Sequence, residues 1–267
     1  MNRVITDLEL SKGSLYYKPK GYPKERKSNK TRDPIAKKAI NEICNKKRTY
    51  GSPRVRAVLA RDHKITLSRY MVSEIMREEG QLITVGPRRP QKEHTGIIEV
   101  KQSNTRWASD ITSIKTWDNQ KYRFAFIIDC CDRNIITWKF SKHIQASDIE
   151  LLVQYAISKR FDGKNAQGLE FLHDNGPEYI EKKLKAQLKE WNINNCNTPT
   201  YSPQSNGMSE AFNGTFKRDY VYMSCLDNYE VVAEQIPKWI DEYNTYAPHS
   251  ALNMKTPAEF LQERIAA

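Results

Sequence analysis

The stretch R-W-A-S-D-I-T-S-I-K-T-W-D-N-Q-K-Y-R-F-A-F-I-I-D-C (residues 106–130) decides the fold of this chain. Arg106–Ile114 reads as a strand, W-D-N-Q-K as its turn, and Tyr122–Cys130 as a second strand with a nearly continuous apolar run. Asp110 falls inside the first strand, among apolar neighbours where an unpaired charge is costly to bury. A carboxylate kept there needs a reason.

Outward from that pair, Ile135–Phe140 reads as a third strand. Ser147–Phe161 has helical periodicity through Ile149, Leu152, Val153, Ala156 and Ile157. Leu169–Leu172 is a short buried strand that ends at His173-Asp174 in F-L-H-D-N-G-P. Tyr179–Trp191 reads as a lysine-rich amphipathic helix, followed by a short strand near Ile193–Asn197. The polar loop T-P-T-Y-S-P-Q-S-N-G precedes a helix from about Met208 to Met223, which carries Glu210, with 35 residues between it and Asp174. Tyr229–Tyr243 is helical, and T-P-A-E-F-L-Q-E-R begins a last short helix. This order predicts an α/β fold, an RNase H-like core with a five-stranded mixed sheet and flanking helices. Its first and fourth strands lie side by side, so Asp110 and Asp174 meet at the sheet centre and a later helix brings in Glu210. Trp107, Trp138, Trp191 and Trp239 read as core, and Asp129 and His173 as structural.

The N-terminal third differs in charge. Residues 1–101 hold 24 Lys and Arg against 11 Asp and Glu, whereas residues 102–267 hold 19 against 21. A basic arm on a near-neutral body is the footprint of a polyanion binder. Residues 1–32 read as a basic segment and linker. Residues 33–84 read as a small all-α, helix-turn-helix-like DNA-binding domain. In it Asp33-Pro34 and Ser52-Pro53 start two helices, with Ile35, Ala39, Ile40 and Ile43 expected on one inner face. A third helix stops at Gly80, with Met71, Val72, Ile75 and Met76 inward and Arg69, Tyr70, Ser73 and Arg77 outward, facing DNA. Residues 85–101 form a linker containing Arg88 and Arg89, and residues 102–267 form the catalytic domain with its C-terminal helices.

Composition excludes several classes. No apolar stretch approaches the roughly 18–20 residues of a membrane span, and the N-terminus lacks the apolar region of a signal peptide. Five cysteines form no C-x-x-C pair, and Cys130 and Cys131 are expected within a strand, pointing to opposite faces. The expectation is a soluble protein of the cytoplasm, with no membrane partner.

Three carboxylates on a basic chain suit magnesium. Mg²⁺ takes hard oxygen ligands and keeps several waters, and two ions about 3.5–4 Å apart serve phosphodiester chemistry. Beyond this chemistry, W-A-S-D-I-T, H-D-N-G-P-E-Y and P-Q-S-N-G-M-S-E-A-F-N-G-T-F-K resemble the signatures of the D-D-(35)-E transposase and retroviral integrase superfamily. The nearest likeness is to the second-frame (OrfB) product of bacterial insertion sequences. Y-G-S-P-R-V (residues 50–55) resembles that group's helix-turn-helix, and Y-N-T-Y-A-P-H-S-A-L-N-M-K-T-P-A-E-F its C-terminal signature.

The resemblance implies Asp110, Asp174 and Glu210 as catalytic residues and metal ligands, with two Mg²⁺ ions for which Mn²⁺ can substitute. It implies DNA contact by Lys217 and by Gln204 and Asn206 in the loop before Glu210. It implies cleavage at element ends and transfer of the 3′-hydroxyl to target DNA, without a covalent protein–DNA intermediate. The partners implied are terminal repeats, target DNA, further copies of the chain on DNA, and an upstream-frame protein or fusion segment. Relatives often carry Arg where this chain has Ala247, and the chain shows no HHCC zinc module, leucine zipper or second helix-turn-helix before residue 33. The competing readings are a non-catalytic, transposase-derived DNA-binding regulator and an RNase H-type nuclease.

Overall fold

The computed structural model describes residues 33–83, 100–162, 166–174, 176–197 and 207–266. The Asp33 carboxylate caps α1 (Pro34–Lys46), accepting the Ile35 N–H at 2.9 Å. Pro34 opens that helix, where a missing N–H costs nothing. α2 (Ser52–Asp62) and α3 (Arg69–Glu78) pack on α1 around Ile40, Val58, Leu59 and Ile75. Ser68 caps α3 through the Met71 N–H at 3.2 Å, and Gly80, at φ +67°, ends it in the left-handed conformation that glycine adopts without strain. Ile35 departs from expectation: it is 70% exposed, and Ala36 takes the inner place. The face through Ala39, Ile40 and Ile43 continues back to Ala36 by steps of three and four, which leaves Ile35 outside.

The sheet contains β1 (Arg106–Lys115), β2 (Lys121–Asp129), β3 (Ile135–Ser141), β4 (Glu170–His173) and β5 (Asn194–Asn197). Its order is β3-β2-β1-β4-β5. β2 is antiparallel to both β1 and β3, while β4 is parallel to β1 and β5. The β1–β4 ladder pairs Arg106 with Glu170 and Ala108 with Leu172. The same offset, carried just past the last pair, sets Asp174 level with Asp110. α4 (Ala146–Phe161) covers one face of the sheet, on Trp107, Ile127 and Phe171. α7 (Gly207–Asp219) and α8 (Tyr229–Thr245) cover the other, on Phe124, Phe126 and Ile128. The side-chain period of two in β1 therefore sends Trp107 and Ala108 into different cores.

Several local expectations are corrected. The helix read over Tyr179–Trp191 is divided into α5 (Pro177–Ile180) and α6 (Lys182–Glu190), because Glu181 turns extended at ψ 134°. The helix read over Met208–Met223 ends at Asp219, and a 3-10 turn spans Val221–Met223. Cys130 and Cys131 lie in the turn after β2 rather than within it. Trp107 and Trp239 are buried, whereas Trp138 and Trp191 are only partly so. The chain closes with α9 (Pro257–Ala266), started by a reciprocal cap in which Thr256 and Glu259 exchange side-chain-to-backbone bonds of 2.8 and 3.1 Å. No helix among the described residues is long and apolar enough to cross a membrane.

Candidate active site

Phe212 and Phe216, four residues apart on α7, fix how that helix meets the sheet. Phe212 packs on Phe126 with ring centroids 4.4 Å apart, and Phe216 stacks on Phe124 at 4.9 Å. Burying two such rings stabilises the joint by several kcal/mol, since truncating a core Phe costs about 3–5 kcal/mol. With that face turned inward, Glu210, Asn213 and Lys217 line an adjacent stripe of the helix at spacings of three and four. Asn213 is the member that touches the sheet. Its Nδ2 donates to Asp110 Oδ2 at 2.7 Å, while the other oxygen, Oδ1, accepts the Ile111 N–H at 2.8 Å.

Asp110 is half-buried. Burial raises its pKa above the ordinary carboxylate value, and the charges of Asp174 and, less strongly, Glu210 raise it further. Both acids thus stand close enough to act on it. Asp174 Oδ1 accepts the Gly176 N–H at 2.9 Å, and a Cβ on Gly176 would meet that same oxygen at 2.9 Å, so only glycine leaves the carboxylate in place. Glu210 is exposed and makes no hydrogen bond among the described residues.

None of these three acids has a basic partner among the described residues, and the contrast with other acids is instructive. Asp132 is fully buried and paired with Arg160 at 2.9 and 3.2 Å. Asp219 pairs with Arg54 and Arg218, and Glu178 with Arg123. Asp129, also fully buried, accepts backbone N–H bonds from Asn104, Cys131 and Asp132 at 2.7, 2.7 and 3.1 Å. It is structural, as its sequence context suggests. Asp110 feels the charges of Asp174 and Glu210, with no cation beside any of the three among the described residues. Carboxylates of that kind are the donor chemistry of a hard divalent cation. Among the described residues no three ligating side chains are gathered as closely as a bound ion requires. Like charges with no cation between them have reason to stand apart.

The other sequence candidates spread over the molecule. Lys217 is half-buried and makes no ion pair among the described residues. On α3, Arg69, Tyr70 and Arg77 are exposed and Ser73 is half-buried, with Arg77 paired to Glu74 one turn back. Arg88, Arg89, Gln204 and Asn206 lie outside the described residues. Asn213 belongs to the site although the sequence reading gave it no role; it stands inside the signature P-Q-S-N-G-M-S-E-A-F-N-G-T-F-K, three residues after Glu210 and four before Lys217.

Comparisons with known proteins bear on this geometry. The integrase core domain family matches residues 100–203, a second integrase core domain family matches residues 192–257, and the HTH-like domain family matches residues 31–89. An insertion element IS136 protein of Agrobacterium fabrum, itself uncharacterized, is 40% identical over 174 residues, covering 64% of this chain and 89% of the relative. The transposase InsD for insertion element IS2 of Escherichia coli is 30% identical over 247 residues, covering 90% of this chain and 82% of the relative. Among solved structures, a chain of the simian T-cell lymphotropic virus intasome in complex with PP2A regulatory subunit B56 gamma superposes with a TM-score of 0.53. It covers 77% of this chain and 73% of its own at 19% identity, a likeness of fold. The five-stranded sheet with its flanking helices is an RNase H-like core behind a helix-turn-helix-like unit. The chain belongs to the insertion-element transposases that join an HTH-like domain to an integrase core domain.

Proposed function

We propose that this transposase cleaves DNA at the ends of its insertion element and joins the freed 3′-hydroxyl to target DNA, with Asp110, Asp174 and Glu210 holding two Mg²⁺ ions. The observation that carries this reading is the half-buried Asp110, flanked by two more acids and by no cation among the described residues. Bound Mg²⁺ would supply activation of the attacking oxygen and stabilisation of the leaving one, and Mn²⁺ would substitute.

The chain's own groups do the rest. Asp110 lies within β1 and Asp174 directly follows the end of the neighbouring β4, so two of the acids are carried by the central strands of the sheet. Asn213 orients Asp110 by donating to one oxygen, leaving the remaining lone pairs for metal and water. Lys217, two turns along the same stripe as Glu210, faces the DNA end as a phosphate contact. Gln204 and Asn206 border that end. Arg69, Tyr70, Ser73 and Arg77, within a DNA-binding domain of residues 33–84, and Arg88 and Arg89 in a linker of residues 85–101, grip the flanking duplex. A residue 102–267 catalytic domain, several copies assembled on DNA, an upstream-frame partner, and a bacterial cytoplasmic setting at the nucleoid complete the proposal.

The test is a cleavage and strand-transfer assay with labelled element-end DNA, Mg²⁺ and target plasmid. Asp110→Asn, Asp174→Asn and Glu210→Gln should each lower both products by about a hundredfold or more, exceeding the 10–100-fold typical of residues one shell further from a metal. DNA binding by the parent chain without any joining sinks the proposal and leaves a DNA-binding regulator. Cutting of an RNA–DNA hybrid in preference to element ends leaves a nuclease.

A further inference from the structure

The face of the sheet opposite Asp110 carries polar groups that the proposed chemistry does not use. His173, directly before Asp174, is fully buried. Its Nδ1 donates to the backbone carbonyl of Asp174 at 2.5 Å, and its Nε2 lies 2.5 Å from Asn195 Oδ1 on β5. The ring stacks on Tyr179 of α5, with centroids 4.6 Å apart and planes 9° from parallel. The Tyr179 hydroxyl lies 2.8 Å from Ser109 Oγ, and Ser109 Oγ donates to the Phe126 carbonyl at 2.8 Å. A carbonyl only accepts, so Ser109 uses its single proton there and Tyr179 must donate to Ser109. Ser109 neighbours Asp110 on β1, and His173 neighbours Asp174 on β4.

We propose that His173, braced by Tyr179 and Ser109, is a positioning residue that fixes the backbone of Asp174 from beneath the sheet and so sets the spacing of the two aspartates. Packing alone would account for a buried histidine, but packing has no use for a ring nitrogen aimed at the main chain of the acid beside it. The chain here leaves β4, where among the described residues no ladder pair includes Asp174, and turns through Gly176 into α5. The histidine bond replaces the missing ladder bond. Tyr179 anchors the far side of that turn, and Glu178, paired with Arg123 of β2, pins the same short helix to the sheet. Asn213 thus meets Asp110 on the face that α7 covers, while His173, Tyr179 and Ser109 brace the two strands from the other.

This inference rests on the reading of Asp174 as a metal ligand, so its test has one readout that involves no metal. In the full-length chain, Asn at position 173 places an amide N–H near the site of imidazole Nδ1, whereas Gln places it near Nε2. His173→Asn and His173→Gln both lose the ring stack, so the difference between them isolates the bond to the Asp174 carbonyl. Amide hydrogen exchange at Gly176, whose N–H binds Asp174 Oδ1, reports how firmly that carboxylate is held. It should quicken roughly fivefold to tenfold in His173→Gln relative to His173→Asn, the loss of about one hydrogen bond. Mn²⁺ binding, followed by loss of the free-ion paramagnetic resonance signal, should weaken about tenfold in the same comparison. Tyr179→Phe, which keeps the stack and removes the hydroxyl, should also quicken Gly176 exchange and serves where the Gln variant does not fold. Equal Gly176 exchange in the Asn and Gln variants, or unchanged exchange in Tyr179→Phe, overturns the positioning role. A parent chain that binds no Mn²⁺ yet shows the Gly176 difference keeps the positioning role and overturns the metal site instead.

Discussion

Asp110 keeps its carboxylate half-buried with one backbone N–H and one amide for company and no cation among the described residues. Burial, then the Asp174 and Glu210 charges, raises its folded pKa above the unfolded value. A raised carboxyl favours folding at low pH, and that advantage is lost as pH rises through the folded value, leaving a penalty at neutral pH. In EDTA at pH 7.5, Asp110→Asn should therefore melt at a higher temperature than the parent. The gap should close as pH falls below the ordinary carboxylate range of about 4, a trade of stability for function measurable by calorimetry. Equal melting temperatures at both pH values count against the strained carboxylate. Asp110 stood out in the sequence as a candidate, because a charge inside an apolar strand is costly to keep unless it serves a site. Asn213 did not, since an amide on a helix means little until the facing carboxylate is known.

Elements were legible where periodicity and capping agreed. Asp33, Ser68 and Thr256 start their helices as their side chains require. Breaks were harder to see, because Glu181 and Tyr220 interrupt helices without Gly or Pro. Conversely α8 contains Pro237 and does not break. Proline removes one helical N–H bond and crowds the preceding turn, at about 3 kcal/mol in an isolated helix. α8 persists because Val232, Ile236, Trp239, Ile240 and Tyr243 bury a full stripe against the sheet. Pro237 itself is exposed and contributes no packing. Pro237→Ala should then stabilise the chain by about 1–3 kcal/mol, read as a higher urea midpoint at unchanged slope. A lowered midpoint would show that the helix is fitted to its proline.

At the scale of the molecule, the helix-turn-helix unit is clasped to the core. Arg54 of α2 pairs with Asp219 of α7 at 2.5 Å, and Arg61 donates to the Tyr246 carbonyl at 2.9 Å while lying 4.5 Å from that ring's centroid. The Tyr246 hydroxyl donates to Asp62 at 3.1 Å, and Lys47 pairs with Glu242. Part of the N-terminal basic excess therefore faces acids of the core, while Arg69 and Arg77 of α3 stay exposed. Asp219, with its side chain 5% exposed, is the most desolvated member of the clasp. Asp219→Ala should cost about 2–3 kcal/mol in urea denaturation by stranding Arg54. Arg54→Ala should cost less, because Arg218 still holds Asp219 at 2.7 and 2.9 Å. Equal losses in the two variants would put the stability in the Arg54–Asp219 pair and none of it in Arg218.

The sequence by itself determined the layered α/β core, the helical unit ahead of it and the asymmetry of charge, and it marked three acids as candidates. Each follows from short-range chemistry: side-chain period, capping, and the cost of burying a charge. Only the tertiary structure decided which groups serve those acids. Asn213 reaches Asp110 from 103 residues away, Asn195 reaches His173 from 22 and Tyr179 reaches Ser109 from 70. Such pairings depend on strand register and on two phenylalanines seating a helix, and no local pattern encodes them.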